Sequence, residues 1–123
     1  MTSCESFESI LVLSLRDLQL HTVFKHVAKC SNLQILFLSG NSIQTLDLER
    51  NMKKLQSVRK LDLSQNNLSE LPQDPNYFKR MQGLEFLALE SNKFLQIDKL
   101  RGLRGASNLK YLTLEHNPIK AKL

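Results

Sequence analysis

An apolar residue at 33, 36 and 38, an asparagine at 41 and an apolar residue at 43 set a spacing that recurs along this chain. Val58, Leu61, Leu63, Asn66 and Leu68 repeat it, as do Leu84, Leu87, Leu89, Asn92 and Phe94, and finally Leu109, Leu112, Leu114, Asn117 and Ile119. A weaker copy precedes them, with Ile10, Leu13, Leu15 and Leu20 in the apolar slots and Leu18 where the asparagine belongs. Starts near 10, 33, 58, 84 and 109 give periods of 23, 25, 26 and 25 residues. Such even self-similarity describes stacked units that each bury a face against the next.

Inside each unit the central segment alternates apolar and variable positions, the period of a short strand with one face buried. Stacking turns these strands into a parallel sheet. Because the chain returns behind that sheet, only one face is covered, and the other becomes an exposed concave wall. Between the strands, apolar residues spaced by three and four predict short helices or helical turns. Val23, Phe24, Val27 and Ala28 form the first such set, and Leu46, Met52 and Leu55 the second. Leu71, Phe78 and Met81 form the third, and Ile97, Leu100 and Leu103 the fourth. Thr22 to Lys29 is the best helix candidate, with Thr22 as N-cap. Pro72 and Pro75 predict an extended start before a short helix near Asn76 to Met81, while Gly102 and Gly105 argue against a long helix in the fourth return. The template resembles the leucine-rich repeat. That likeness implies an α/β solenoid of about five repeats forming a single domain over residues 1–123, with the parallel sheet concave and the short helices and turns convex.

The asparagines follow the strands, where the chain turns into the solenoid and backbone groups lose their ladder partners. An amide side chain both donates and accepts there. Asn41, Asn66, Asn92 and Asn117 are therefore read as structural. Leu18 cannot act in this way, so the first repeat is expected to fray, turn differently or borrow contacts from elsewhere.

The variable strand positions sort into columns across the sheet. Val12, Ile35, Lys60, Phe86 and Tyr111 make one; Ser14, Phe37, Asp62, Ala88 and Thr113 the next; Arg16, Ser39, Ser64, Glu90 and Glu115 the third. Ile35, Phe37, Phe86 and Tyr111 are large apolar or aromatic residues at positions expected to face water, the composition of a protein-binding surface. Lys60, Asp62, Glu90 and Glu115 complete the candidate protein-binding residues of the concave face. Glu90 and Glu115 on neighbouring strands should repel unless a cation answers them.

Charge refines this picture only slightly. Seventeen basic against twelve acidic residues give a net charge of +5. Many of the cations fall on the return side: Lys25 and Lys29; Arg50, Lys53 and Lys54; Lys79 and Arg80; Lys99, Arg101 and Arg104. Such a ridge could meet an acidic surface such as tubulin, although the excess does not require nucleic acid. The apolar run from Ile10 to Leu20 is interrupted by Arg16 and Asp17, too short and too charged for a membrane span or a signal peptide. Cys4 and Cys30 stand far apart without cysteine clusters, which points to a reducing compartment. No phosphate loop, nucleophile elbow or zinc spacing is present, and His21, His26 and His116 form no ligand pattern with the cysteines. No catalytic residues, metal or cofactor are therefore expected, and no enzyme activity.

Repeats of this length without cysteine caps, ending in Leu112-Thr113-Leu114-Glu115-His116-Asn117-Pro118-Ile119, resemble the intracellular repeats of protein phosphatase 1 regulatory subunits. Lys60-Leu61-Asp62-Leu63 through Leu71-Pro72, with the Phe78 turn and Gly83-Leu84, is similar to middle repeats of ciliary and axonemal leucine-rich-repeat proteins that carry IQ motifs. No IQ motif occurs here, so calmodulin binding does not carry over, and no phosphatase-contact residues are transferred. The resemblance implies a cytoplasmic protein of the cilium or cytoskeleton, with the nucleus as alternative. Few residues precede the first repeat and only Leu123 and its neighbours follow Ile119, so both ends are expected to be poorly capped, with neighbouring proteins covering at least one of them or the chain forming part of a longer product. The reading is a non-enzymatic adaptor or structural component of a larger assembly. Alternatives are a subunit directing a phosphatase or other enzyme, and a nuclear ribonucleoprotein component.

Overall fold

The computed structural model describes residues 6–23, 27, 29–46 and 55–120. Five three-residue strands form one parallel sheet in sequence order: β1 (Val12–Ser14), β2 (Ile35–Phe37), β3 (Lys60–Asp62), β4 (Phe86–Ala88) and β5 (Tyr111–Thr113). Their register reproduces the columns of the sequence, pairing Val12 with Ile35, Ile35 with Lys60, Lys60 with Phe86 and Phe86 with Tyr111. The sheet is open, and each strand lies one repeat from the next.

The middle residue of each strand points inward. Leu36, Leu61 and Leu87 are fully buried, joined by Leu33, Leu38, Ile43, Leu63, Leu68, Leu84, Leu89 and Phe94 from the other template positions. Leu13 and Leu112 stand at the same position on the two edge strands and are less covered. Val23, Val27, Leu46, Leu55, Leu71, Phe78, Met81 and Leu100 close the core from the return side. Ile97, expected among them, is instead 62% exposed, because it opens its segment ahead of the turn that packs. Tyr77 joins the core unannounced by the periodicity, its ring edge-on to Phe78 at 4.9 Å.

The return segments differ as their breakers require. Asp74 caps α1 (Pro75–Lys79) by accepting the Asn76 N–H, and Pro75 occupies the first turn, where a missing N–H costs nothing. The fourth return is a 3-10 segment, Ile97–Gly105. Its glycines are there for closeness: a Cβ on Gly102 would overlap the Pro72 carbonyl oxygen, and one on Gly105 that of Pro75. Half of the helix expected over Thr22 to Lys29, residues 24–26 and 28, lies outside the described residues, as does Met52.

Candidate functional site

The asparagines build the frame on which the wall stands. Asn66 donates from Nδ2 to the carbonyls of Leu38 (3.0 Å), Leu63 (3.1 Å) and Ser64 (3.1 Å), and its Oδ1 accepts the Ile43 N–H at 3.1 Å. Leu63 and Ser64 belong to its own repeat, whereas Leu38 and Ile43 belong to the repeat before. Asn92 repeats the arrangement with Leu63, Leu89 and Leu68, and Asn117 with Leu89, Leu114 and Phe94. Each asparagine thus satisfies the turn one repeat back as well as its own.

This explains Leu18. The first repeat borrows its contacts from Asn41, whose Oδ1 accepts the N–H groups of both Leu18 and Leu20 at 3.0 Å and whose Nδ2 reaches the Leu15 carbonyl at 2.9 Å. Leu18 itself is 54% exposed, so its apolar side chain leaves no buried group unmet.

Two further regularities escaped the sequence reading. The residue before each asparagine position is left-handed in every repeat: Asp17, Gly40, Gln65, Ser91 and His116 have φ between 56° and 73°. Only Gly40 announces this by its identity. On the rim where each repeat begins, Asn32 donates to the Glu8 carbonyl, Ser57 to those of Ser31 and Leu33, and Asn108 to that of Gln82. Small polar residues just before the first template position were the available signal.

On the same rim, Arg59, Glu85 and Lys110 occupy one template position of successive repeats. Arg59 donates from Nε (3.0 Å) and Nη2 (2.8 Å) to Glu85 Oε2, and Lys110 Nζ stands 3.7 Å from Glu85 Oε1. The Arg59 hydrogen bonds, aided by the charges of Arg59 and Lys110, hold the Glu85 carboxyl below the usual carboxylate range.

The wall itself is a ladder of cations and rings. The Arg16 guanidinium lies 4.0 Å from the centroid of Phe37, Lys60 Nζ sits 5.6 Å from Phe37 and 4.9 Å from Phe86, and the Phe86 and Tyr111 rings are 6.0 Å apart and tilted. Each cation is drawn to the negative face of a ring, worth about 0.5–1 kcal/mol at an exposed site. Ile35, Phe37, Lys60, Asp62 and Phe86 are half-buried, and Tyr111 is the open rung at 63% exposure.

The acids of the wall behave differently from one another. Asp62 turns onto Ser64, accepting from its N–H (3.0 Å) and its Oγ (2.7 Å). Glu90 accepts from Thr113 Oγ1 at 3.1 Å, and Glu115 is exposed. Among the described residues no cation pairs with either glutamate, nor any acid with Arg16 or Lys60.

The return side shows no comparable assembly. Lys29, Lys79, Arg80, Arg101 and Arg104 are exposed, with Arg101 donating to Gln73 Oε1; Lys25, Arg50, Lys53 and Lys54 lie outside the described residues. Cys30 is buried and free, and burial pushes its thiol pKa up. No group of three or more His, Cys, Asp or Glu among the described residues could hold a metal ion, and no helix among them is long and apolar enough to cross a membrane.

Known proteins share this frame. The chain is 32% identical over 120 residues to human leucine-rich repeats and immunoglobulin-like domains protein 3, covering 98% of this chain and 10% of that protein. It is 29% identical over 133 residues to mouse lumican, covering 88% and 39% respectively. The crystal structure of the leucine-rich repeat domain of APL1B superposes with a TM-score of 0.78 at 24% identity, over 95% of this chain and 34% of that one. The chain therefore spans well under half the length of these relatives. With the family pattern described as Leucine rich repeat matching residues 31–94 and again 56–119, the chain belongs to the leucine-rich repeat family.

Proposed function

We propose that the chain is a non-enzymatic interaction module that binds another protein across the concave wall, serving as an adaptor or structural component of a larger assembly. Leucine-rich repeats generally mediate contacts between proteins, and the observation that carries the reading here is the continuous Arg16–Phe37–Lys60–Phe86–Tyr111 ladder. Aromatic and cationic side chains on a rigid sheet offer large contact area at little conformational cost, the composition of binding hot spots. The likeness of Lys60–Leu63 and Leu71–Pro72 to axonemal repeats supports a cytoplasmic, ciliary or cytoskeletal setting. That of Leu114–Ile119 to phosphatase regulatory subunits supports an enzyme-directing role as the second reading.

Comparative affinity capture tests this. Full-length wild type, a concave variant (Phe86→Ala with Tyr111→Ala) and a convex variant (Arg101→Ala with Arg104→Ala) serve as baits, and bound proteins are identified by mass spectrometry. A protein retained by wild type and the convex variant but lost by the concave variant is the expected result. Retention by the concave variant with loss by the convex one would move the site to the return side. Copurifying phosphatase activity, axonemal proteins or salt-sensitive RNA distinguish the settings.

A further inference from the structure

We infer that the wall takes one extended peptide segment of mixed charge. An acidic side chain meets Arg16 and Lys60, a Lys or Arg meets Glu90 and Glu115, and a bulky apolar side chain lies between them. This rests on the concave wall being the binding surface and adds what binds there.

Where the rim sets opposite signs on adjacent repeats, the fold pairs them. Arg59, Glu85 and Lys110 on the rim show it. On the wall, Asp62 aside, the signs are segregated: Arg16 and Lys60 stand on the first three repeats, Glu90 and Glu115 on the last two. Arg16 and Glu90 share a column but are three strands apart, roughly 14 Å at about 4.8 Å per strand, and Glu115 is one strand further at roughly 19 Å. They cannot reach each other.

Among the described residues, Arg16 and Lys60 are therefore left without a paired acid, and Glu90 and Glu115 without a paired cation. Arg16 and Lys60 settle on ring faces and have no acid, since Asp62, the nearest carboxylate in the register, is turned onto Ser64. Glu90 has only the Thr113 hydroxyl, and Glu115 on the neighbouring strand has no cation, so like charges face each other unrelieved.

An extended peptide rises about 3.3 Å per residue, so four to six residues bridge the two ends. Ser39 and Ser64, the small residues between them in the column, leave that path open beside Phe37 and Phe86. A uniform polyanion such as RNA would be repelled at the glutamate end, and a uniformly basic segment at the other.

A random twelve-residue peptide library displayed on phage, selected on the full chain, tests this. Enriched peptides are expected to carry Asp or Glu separated by four to six positions from Lys or Arg, with an aromatic or large aliphatic residue between. Their binding should fall at least tenfold with Phe86→Ala, and equally with Glu90→Lys combined with Glu115→Lys, which puts cations at both ends of the wall. Circular dichroism and urea midpoints confirm that both variants remain folded. If enriched peptides respond to Phe86→Ala but not to the charge reversal, or are uniformly acidic or basic, the mixed-charge segment is overturned while the wall stands as a binding surface. Indifference to both variants, or no enrichment, overturns both.

Discussion

A single side chain decides most where it serves two repeats at once. Asn66 is buried and meets four backbone groups across two turns, so Asn66→Ala strands the Ile43 N–H and weakens three carbonyls. A loss of about 2–3 kcal/mol is expected in urea unfolding. Leu18→Asn at the matching but exposed position should change stability by no more than about 0.5 kcal/mol. The recurrence of asparagine was plain in the sequence. Its reach into the preceding repeat was not, because spacing says nothing of which neighbour an amide bonds. The left-handed residue before it was hidden for a related reason: the turn imposes φ > 0 on Asp17, Gln65, Ser91 and His116, overriding their own preference. Cys30 makes a separate case. Its burial raises the thiol pKa, so less thiolate is present at any given pH than in a free cysteine, and access is closed as well. In a Cys4→Ser background, labelling by a thiol reagent at pH 8 should be slow in buffer and rapid in denaturing urea.

Between elements, the parallel sheet and its register follow from alternation and period, which is why strands and columns were legible down to the paired residue. The return segments were legible only in part. Pro72 and Pro75 foretold an extended lead into a short helix, since proline carries a local backbone rule, but the Asp74 cap and the place of Pro75 inside the first turn went unread. Gly102 and Gly105, read as arguing against a long helix, also let the 3-10 segment approach the backbone of Pro72 and Pro75, and closeness to another element has no local signal. Gly102→Ala should therefore cost about 1–3 kcal/mol, measured by urea unfolding, because the displaced group is rigid backbone. The Arg59–Glu85 pair links adjacent repeats through ionised partners. The folded carboxyl titrates below its ordinary range, so its stabilisation is present at neutral pH and is lost as pH falls through the folded-state pKa. Thermal midpoints of wild type and Glu85→Gln should accordingly differ at pH 7 and converge on acidification below the usual carboxylate range.

Across the molecule, the five repeats place three outward columns of five residues on one face of the sheet, and what varies from repeat to repeat on that face is free for recognition. Sequence columns identified the wall residues, and the register brings them together. They did not reveal that Arg16 and Lys60 stack against Phe37 and Phe86, since a cation over a ring depends on side-chain direction rather than spacing. That stacking changes how the wall is probed. Phe37 and Phe86 also support their neighbours, so a binding loss on truncating them counts only once the variant is shown to be folded, whereas Tyr111 is open and lends the fold little. The most direct measurement is the affinity, by isothermal titration calorimetry, of the protein captured by the wild-type bait for wild type and for Tyr111→Ala, with urea midpoints recorded on the same preparations. Tyr111→Ala is expected to weaken binding tenfold or more while the urea midpoint stays unchanged; equal affinity of the two folded proteins would rule out the concave wall as the binding surface.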